Sequence, residues 1–425
     1  MAERTAGRAR EVLVRAALLV AYFYPPAAGG GVYRTLGFVR HLEAHGFRPV
    51  VLTGAADPAE ADDPGLLEGL EGVETVRAGA AVPARRLGGR VRRSGWRMAL
   101  AWLGTRLMVP DTYAPWRGPA VRAGRERLER GDVRVLYSTS PPDTDHRVAL
   151  QLHQASGLPW VADFRDPWVG LGYWRPLTPL HRAAHLRQLR EVLRGADAVV
   201  AATDGTRAWL ERAAPGCARR IEVIPNGYEE DEWQGVEPRR FEHFTVLHAG
   251  RLSADRTLEP FLAGLERFLA ADPSRRGRVR VLQLGPHDAR EAWRVRRRRL
   301  EDVVAFEGHV PHRAALAMEA GAHVLLLVKH RGERFRELIP GKLYEYLAAG
   351  RPVLAVVPEG PAAELVRSLG CGWVAPPDSP AQVAEVLERA WRGEGPPRHR
   401  PEERALFTRR ALAGRLAALL AEVAR

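Results

Sequence analysis

The chain has 425 residues, 46% of them hydrophobic and 27% charged, with 64 Lys and Arg against 51 Asp and Glu and a net charge of +13. That length exceeds one ordinary core and predicts two domains of roughly 200 residues each, while the composition excludes a disordered chain. Cys217 and Cys371 fall in different halves with no ligand spacing, which excludes a disulfide framework or a cysteine zinc site and suits a reducing, cytoplasmic setting.

In chain order, Arg4, Arg8 and Arg10 precede an apolar stretch in the manner of a signal peptide, but Arg15 interrupts it. Residues 16–24 then lead into Pro-Pro-Ala-Ala-Gly29-Gly30-Gly31. A buried first strand feeding a glycine loop is the expectation. No run reaches the ~18 apolar residues that a bilayer span needs. Much of the excess positive charge lies in two clusters, residues 85–97 and 294–299, which favour phosphate-bearing or other anionic partners. The first cluster, with Trp102, Leu103 and Leu107 following, has two readings: a basic amphipathic helix for an anionic membrane surface, or a solvated arginine face over a packed stripe. No zinc-finger, RNP or basic-zipper pattern occurs, so no specific nucleic-acid binding is expected.

Strand-like segments alternate with helix-length ones. The expected strands are residues 16–24, 49–53, 133–138, 160–163, 198–202 and 221–224, then 245–249, 279–284, 303–307, 323–328 and 353–357. Amphipathic stretches such as 182–194 and 258–270 lie between them. This rhythm predicts an α/β protein of two doubly wound, Rossmann-like domains with parallel sheets, residues 1–235 and 236–400. Residues 57–72 read as a surface loop, 229–242 as the linker, and 401–425 as a helix packing back across the domains. Such domains leave an inter-domain cleft at the strand C-termini, suited to a donor on one side and an acceptor on the other.

Only two lysines occur, Lys329 and Lys342, against 62 arginines (64 minus two). The surrounding stretch reads Glu337-Leu-Ile-Pro340-Gly341-Lys342-Leu-Tyr-Glu345. Pro340 is placed to be the first helical residue, and the helix is expected to end at Gly350. Lys342 then falls in the first turn, where the macrodipole makes a cation cost about 0.3–1 kcal/mol. A phosphate on the free N–H groups would turn that cost into attraction. The competing reading is an i,i+3 pair with Glu345, worth ~0.2–0.5 kcal/mol. Glu337, in the loop, and Glu345, in the second turn, can both approach this helix N-terminus, and carboxylates are strong acceptors for paired sugar hydroxyls.

The Glu337 to Glu345 spacing, followed by Tyr-Leu-Ala-Ala-Gly-Arg-Pro-Val, resembles the E-x7-E signature of family-4 glycosyltransferases, which have the GT-B fold. Gly29-Gly30-Gly31 is similar to that family's glycine loop. Ser140-Pro-Pro, His146 and Pro159-Trp-Val-Ala-Asp163-Phe-Arg165-Asp166-Pro-Trp168 resemble a subgroup associated with bacterial surface-polysaccharide assembly. Ile224-Pro-Asn-Gly227 resembles the segment before the linker, and His248-Ala-Gly-Arg251 the first strand and phosphate loop of the donor domain.

The resemblance implies a retaining, metal-independent glycosyltransferase of hexosyltransferase type. It would move a sugar from a nucleotide diphosphate sugar to a hydroxyl of a glycan or lipid-linked acceptor, with no further cofactor. Glu345 would hold the ribose hydroxyls, Glu337 the donor sugar and Arg251 the diphosphate, beside Gly341 and Lys342. Gly30 and Gly31 would bring N–H groups to the phosphate or acceptor side. Many relatives carry a lysine five or six residues after the Arg251 equivalent; here Arg256 stands there, and the second phosphate ligand is left open between Arg256 and Lys329. Arg165 stands where many relatives have a histidine. Asp163, Arg165, Asp166 and His146 are the acceptor-side candidates, with a structural knot with Arg165 in that Pro- and Trp-bounded loop as the competing role for the acids. A lipid-linked acceptor would place the enzyme at the inner face of the cytoplasmic membrane. The rival functions are a sugar-nucleotide epimerase or phosphorylase on the same fold, and a basic non-enzymatic module for anionic lipid.

Overall fold

The computed structural model describes residues 15–27, 29, 31–55, 63–79, 107–168, 176–329, 332, 335–396 and 401–425. Its first sheet contains β1 (Arg15–Val20), β2 (Phe47–Gly54), β3 (Glu74–Ala78), β4 (Val133–Ser140), β5 (Trp160–Phe164), β6 (Ala198–Ala201) and β7 (Ile221–Val223). The second contains β8 (Phe244–Ala249), β9 (Val279–Leu284), β10 (Val304–Gly308), β11 (Val324–Val328), β12 (Val353–Val356) and β13 (Gly372–Ala375). Strand orders are β3-β2-β1-β4-β5-β6-β7 and β10-β9-β8-β11-β12-β13, with every neighbour parallel. Two doubly wound parallel sheets in one chain form the GT-B arrangement.

The central strands are apolar along their whole length because both faces are covered. Alternation sends Leu18, Val50, Leu136 and Ala162 to one core of the first sheet, and Leu19, Val51, Val135 and Val161 to the other. That second core is completed from the far end of the chain. The helix Arg409–Val423 buries Leu412, Leu416, Leu419 and Leu420 beside Leu36, Val39 and Leu42 of the helix Tyr33–Leu42. A Cβ on Gly37 would stand 2.5 Å from Arg409 Cδ, so glycine is what permits this approach.

Strand order reverses between β1 and β4 in the first sheet and between β8 and β11 in the second. Crevices open at such switch points, outside the strand C-termini. Among the described residues no helix is long and apolar enough to cross a membrane.

Several boundaries differ from the sequence pattern. β1 stops at Val20 because the backbone N–H of Tyr22 donates to Asp145 Oδ2 at 2.9 Å and the Tyr22 ring turns to Tyr113 and Trp116. The edge strands β3 and β13 do not stand out in the sequence: β3 mixes Glu, Thr and Arg with its apolar residues, and β13 is only four residues long. Gly372 in β13 is required by its neighbour, since a Cβ there would meet the Val353 carbonyl at 2.0 Å. The site helix begins at Lys342, not Pro340, because the turn before it closes by tighter bonds, Leu343 N–H to the Pro340 carbonyl and Tyr344 N–H to that of Gly341. The basic cluster 85–97 lies outside the described residues, and so does Gly30.

Candidate active site

Lys342 opens its helix and is engaged by two acids. Its Nζ donates to Glu345 and, at 3.3 Å, to Oε1 of Glu319, at the end of the helix His312–Gly321. Burial works to lower the Lys342 pKa, but Glu345 and Glu319 outweigh it and hold the ammonium protonated. Glu319 is fully buried and its Oε2 has no partner. Burial raises its carboxyl to about 7, with Lys342 opposing. The i,i+3 pair expected as the competing reading is therefore present, with a second, deeper carboxylate behind it.

The cavity above this cluster is walled by both domains: Arg34 and Asn226 from the first, and His248, Arg256, Lys342 and Glu345 from the second, with Gly341 on its rim. A wider cleft shares Lys342 and Tyr33 with it and runs on to Arg251, His309 and His312. Arg251 follows Gly250, whose φ of +146° is glycine conformation. Gly285 packs on it, and a Cβ there would meet the Gly250 carbonyl at 3.0 Å. Arg256 is held in a tight turn by reciprocal backbone hydrogen bonds with Ser253. The structure thus brings Arg251, Arg256, Lys342, Gly341 and Glu345 around connected space.

His248 also lines it. Its Nδ1–H donates to the Leu326 carbonyl at 2.9 Å, and its Nε2 has no partner. Burial pulls its pKa to about 4, so the ring is neutral, with an acceptor nitrogen left over.

Glu337 and Lys329 lie apart from that cluster. The Glu337 carbonyl accepts from Thr203 Oγ1 at 3.3 Å, and its side chain lies on the N-terminus of the helix Asp204–Ala213 in the opposite domain. A Cβ on Gly205 would come within 2.6 Å of the Glu337 Cβ. Lys329 faces an adjoining cavity with Thr257, Arg336 and Asp378, across Val328 from the first. Its Nζ donates to the Arg336 carbonyl at 2.5 Å, and burial lowers its pKa to about 8 against the attraction of Glu337.

In the first domain, Asp163 is spent on structure. It receives two hydrogen bonds from Arg34, at 2.7 and 2.8 Å, one from Tyr137 at 2.6 Å and one from Thr139 at 2.9 Å. Arg34 also donates to the carbonyls of Ile224 and Pro225 and to Asn226. The knot involves Asp163, as one of the two readings had it, but its partner is Arg34 and not Arg165. Arg165 instead donates to the carbonyls of Gly31, Ser140 and Pro141, tying the glycine loop to the loop after β4. Burial raises the Asp166 carboxyl, with Arg165 opposing. His146 is fully buried between Phe164 and Trp168, its Nδ1 2.8 Å from Ser138 Oγ, and burial takes its pKa to about 3. Trp160 donates to the same Ser138 oxygen, 2.9 Å away.

Arg34, Glu319 and the free nitrogen of His248 were not singled out from the sequence. Their partners lie 129, 23 and 78 residues away, and nothing local marks them. Among the described residues no group of three or more His, Cys, Asp or Glu is arranged to hold a metal ion.

Comparison with known proteins gives the class. A glycosyl transferase 4-like domain matches residues 29–227, and the glycosyl transferases group 1 domain matches residues 243–392. The chain belongs to the GT-B glycosyltransferases, with the first of these domains followed by the second. It is 31% identical over 196 residues to an exopolysaccharide phosphotransferase of Streptomyces coelicolor, covering 45% of this chain and 19% of that protein. It is 31% identical over 165 residues to a protein assigned to colanic acid biosynthesis as glycosyltransferase WcaL in Salmonella typhimurium, covering 36% of this chain and 40% of the relative. The chain thus spans well under half the length of these curated relatives. Over whole chains, sucrose-phosphate synthase from Thermosynechococcus elongatus has the same fold, with a TM-score of 0.64, 19% identity and coverage of 96% and 98%. So does the Anabaena protein HepE, solved in complex with UDP, with a TM-score of 0.56, 17% identity and 96% coverage of each chain.

Proposed function

We propose that this chain is a retaining glycosyltransferase that takes a nucleotide diphosphate sugar into the inter-domain cleft and passes the sugar to an acceptor hydroxyl in cell-envelope polysaccharide assembly. The observation that carries the reading is the grouping of Arg251, Arg256 and Lys342 around one connected cleft, beside the carboxylate of Glu345. Departure of a nucleoside diphosphate leaves negative charge on its phosphates, and fixed cations at a helix N-terminus stabilise that charge. In this reading Lys342 leaves Glu345 for the phosphate, and the freed carboxylate accepts the ribose hydroxyls. The three cations neutralise the leaving group without a metal. Arg256, which lines the cleft, fits the second phosphate position better than Lys329, which faces the adjoining cavity and is engaged by the Arg336 carbonyl. Glu337 reaches the donor sugar from the seam between domains, and Arg165 sets the glycine loop rather than meeting the acceptor. The UDP in the HepE structure supports a nucleotide donor, and the WcaL relative supports a polysaccharide acceptor.

The test is a thermal-shift screen of free nucleotides and nucleotide sugars, followed by product analysis with the best donor. Stabilisation by a nucleoside diphosphate and transfer of its sugar with the anomeric configuration kept are expected. No response to any nucleotide sugar would end the proposal.

A further inference from the structure

The second arginine cluster is not used by the cleft, and the helix Ala289–Arg297 divides it into two faces. On the inner face Arg294 pairs with Glu291 and Glu259, and Arg298, in the turn that follows, pairs with Glu259 at 2.8 Å and Glu266 at 2.5 Å. Those pairs fasten the segment to the helix Glu259–Ala271. Glu291, the single acid in the helix, is fully buried there and accepts from the backbone N–H of Leu258. The outer face presents Arg290, Trp293, Arg296 and Arg297, all exposed. Trp293 is 52% exposed, among the few large apolar side chains left in water. The Arg297 guanidinium carbon stands 5.4 Å from its ring centre. Among the described residues none of these three outer arginines has an ion pair with an acid. Charges that serve the fold point inward and are matched; the unmatched ones point outward around one aromatic ring.

We propose that Arg290, Trp293, Arg296 and Arg297 dock the C-terminal domain on an anionic bilayer surface. The guanidinium groups meet lipid phosphates, and the indole enters the headgroup boundary with its N–H still in polar surroundings. Tryptophan is suited to that boundary because its body is apolar and its N–H is not, and arginines beside it gain from negative lipid. A second copy of the chain is a poor occupant, since it carries the same cationic face and a net charge of +13. The contact does not depend on which donor the cleft takes.

The experiment is co-sedimentation of the full chain with vesicles of phosphatidylcholine and of phosphatidylcholine mixed with phosphatidylglycerol. Binding to the anionic vesicles alone is expected. Arg290→Glu with Arg297→Glu should weaken it roughly 30-fold, about fivefold per cation removed. Trp293→Ala, at equal charge, should weaken it about 10-fold through lost apolar contact. Arg134→Glu with Arg212→Glu makes the same charge change on exposed arginines of the N-terminal domain that have no ion pair among the described residues and should change binding by less than about threefold. Equal binding to both vesicle types, or equal loss in the control pair, would overturn the proposal. So would an unaffected Trp293→Ala, or displacement of the vesicles by a DNA duplex at matched phosphate concentration.

Discussion

Arg34 and Asp163, 129 residues apart in sequence, face each other as a fork, with Nε to Oδ2 at 2.7 Å and Nη2 to Oδ1 at 2.8 Å. Both are buried. The pair clamps the first helix to the end of β5, and Arg34 then reaches on to the Ile224–Gly227 segment at the cleft. Removing one partner of a buried pair leaves an uncompensated charge, at a cost of about 3–5 kcal/mol. Asp163→Ala should therefore lower unfolding stability by that order in denaturant titration. Arg34→Lys should recover little, because an ammonium cannot make the two parallel bonds. A stability loss within about 0.5 kcal/mol for Asp163→Ala would show that the fork is dispensable.

Lys342 and Glu319 should be coupled in stability as well as in binding. Lys342→Ala leaves a buried carboxyl without its counter-ion, and Glu319→Gln in the same chain removes that liability. A double-mutant cycle should give a coupling of about 0.5–3 kcal/mol. In the proposed reaction Lys342→Ala and Glu345→Gln should each weaken nucleoside diphosphate binding, the former by about 1–3 kcal/mol. Unchanged affinity in both, measured by calorimetry, would remove them from the donor site.

Gly205→Ala offers a way to move Glu337 without altering its chemistry. The added Cβ would lie 2.4 Å from Glu337 Oε2 and 2.6 Å from its Cβ, so rotating the carboxylate is not enough and the Glu337 backbone must draw back from the helix. The expected outcome is a folded protein, destabilised by about 1–3 kcal/mol through overpacking, with transfer rate down at least about 10-fold, roughly 1.4 kcal/mol of barrier. Full activity in Gly205→Ala would place the working position of Glu337 away from this seam.

His146 should show a pH signature of its own. Burial takes its pKa to about 3, whereas an unfolded histidine titrates near ~6.5. Between those values the unfolded chain binds a proton that the native chain refuses. The contribution is present in full above about 6.5 and is lost as pH falls toward about 3, at up to ~1.4 kcal/mol per pH unit. His146→Phe removes the term, so its stability deficit against the parent should narrow on acidification across that window. A deficit independent of pH would mean that His146 is not buried and neutral in solution.

Much of this molecule is readable from its residues alone. Val, Leu and Ala runs between amphipathic helices dictate two parallel sheets, because strands buried on both faces admit little else. The strands missed, β3 and β13, are short: β3 interleaves Glu, Thr and Arg with its apolar residues, and β13 has only four residues. The clustering of lysine with Glu345 was legible because helix periodicity places i and i+3 together. The separation of Lys329 from Lys342 was not, since it depends on which way the Lys329 side chain leaves the end of β11.

What sequence by itself determined was the fold class, the family and the helix N-terminus that gathers charge in the cleft; each is written in local periodicity or an ordered set of motifs. Only the tertiary structure decided which charges are free to act. Asp163 is consumed by Arg34, Arg165 by three backbone carbonyls, and Lys342 by Glu345 and by a glutamate from another helix. The reason is physical: a charged group's role is set by its partners in space. Glu345 apart, those partners come from segments tens to more than a hundred residues away, brought together when the sheets, and not the motifs, close the core.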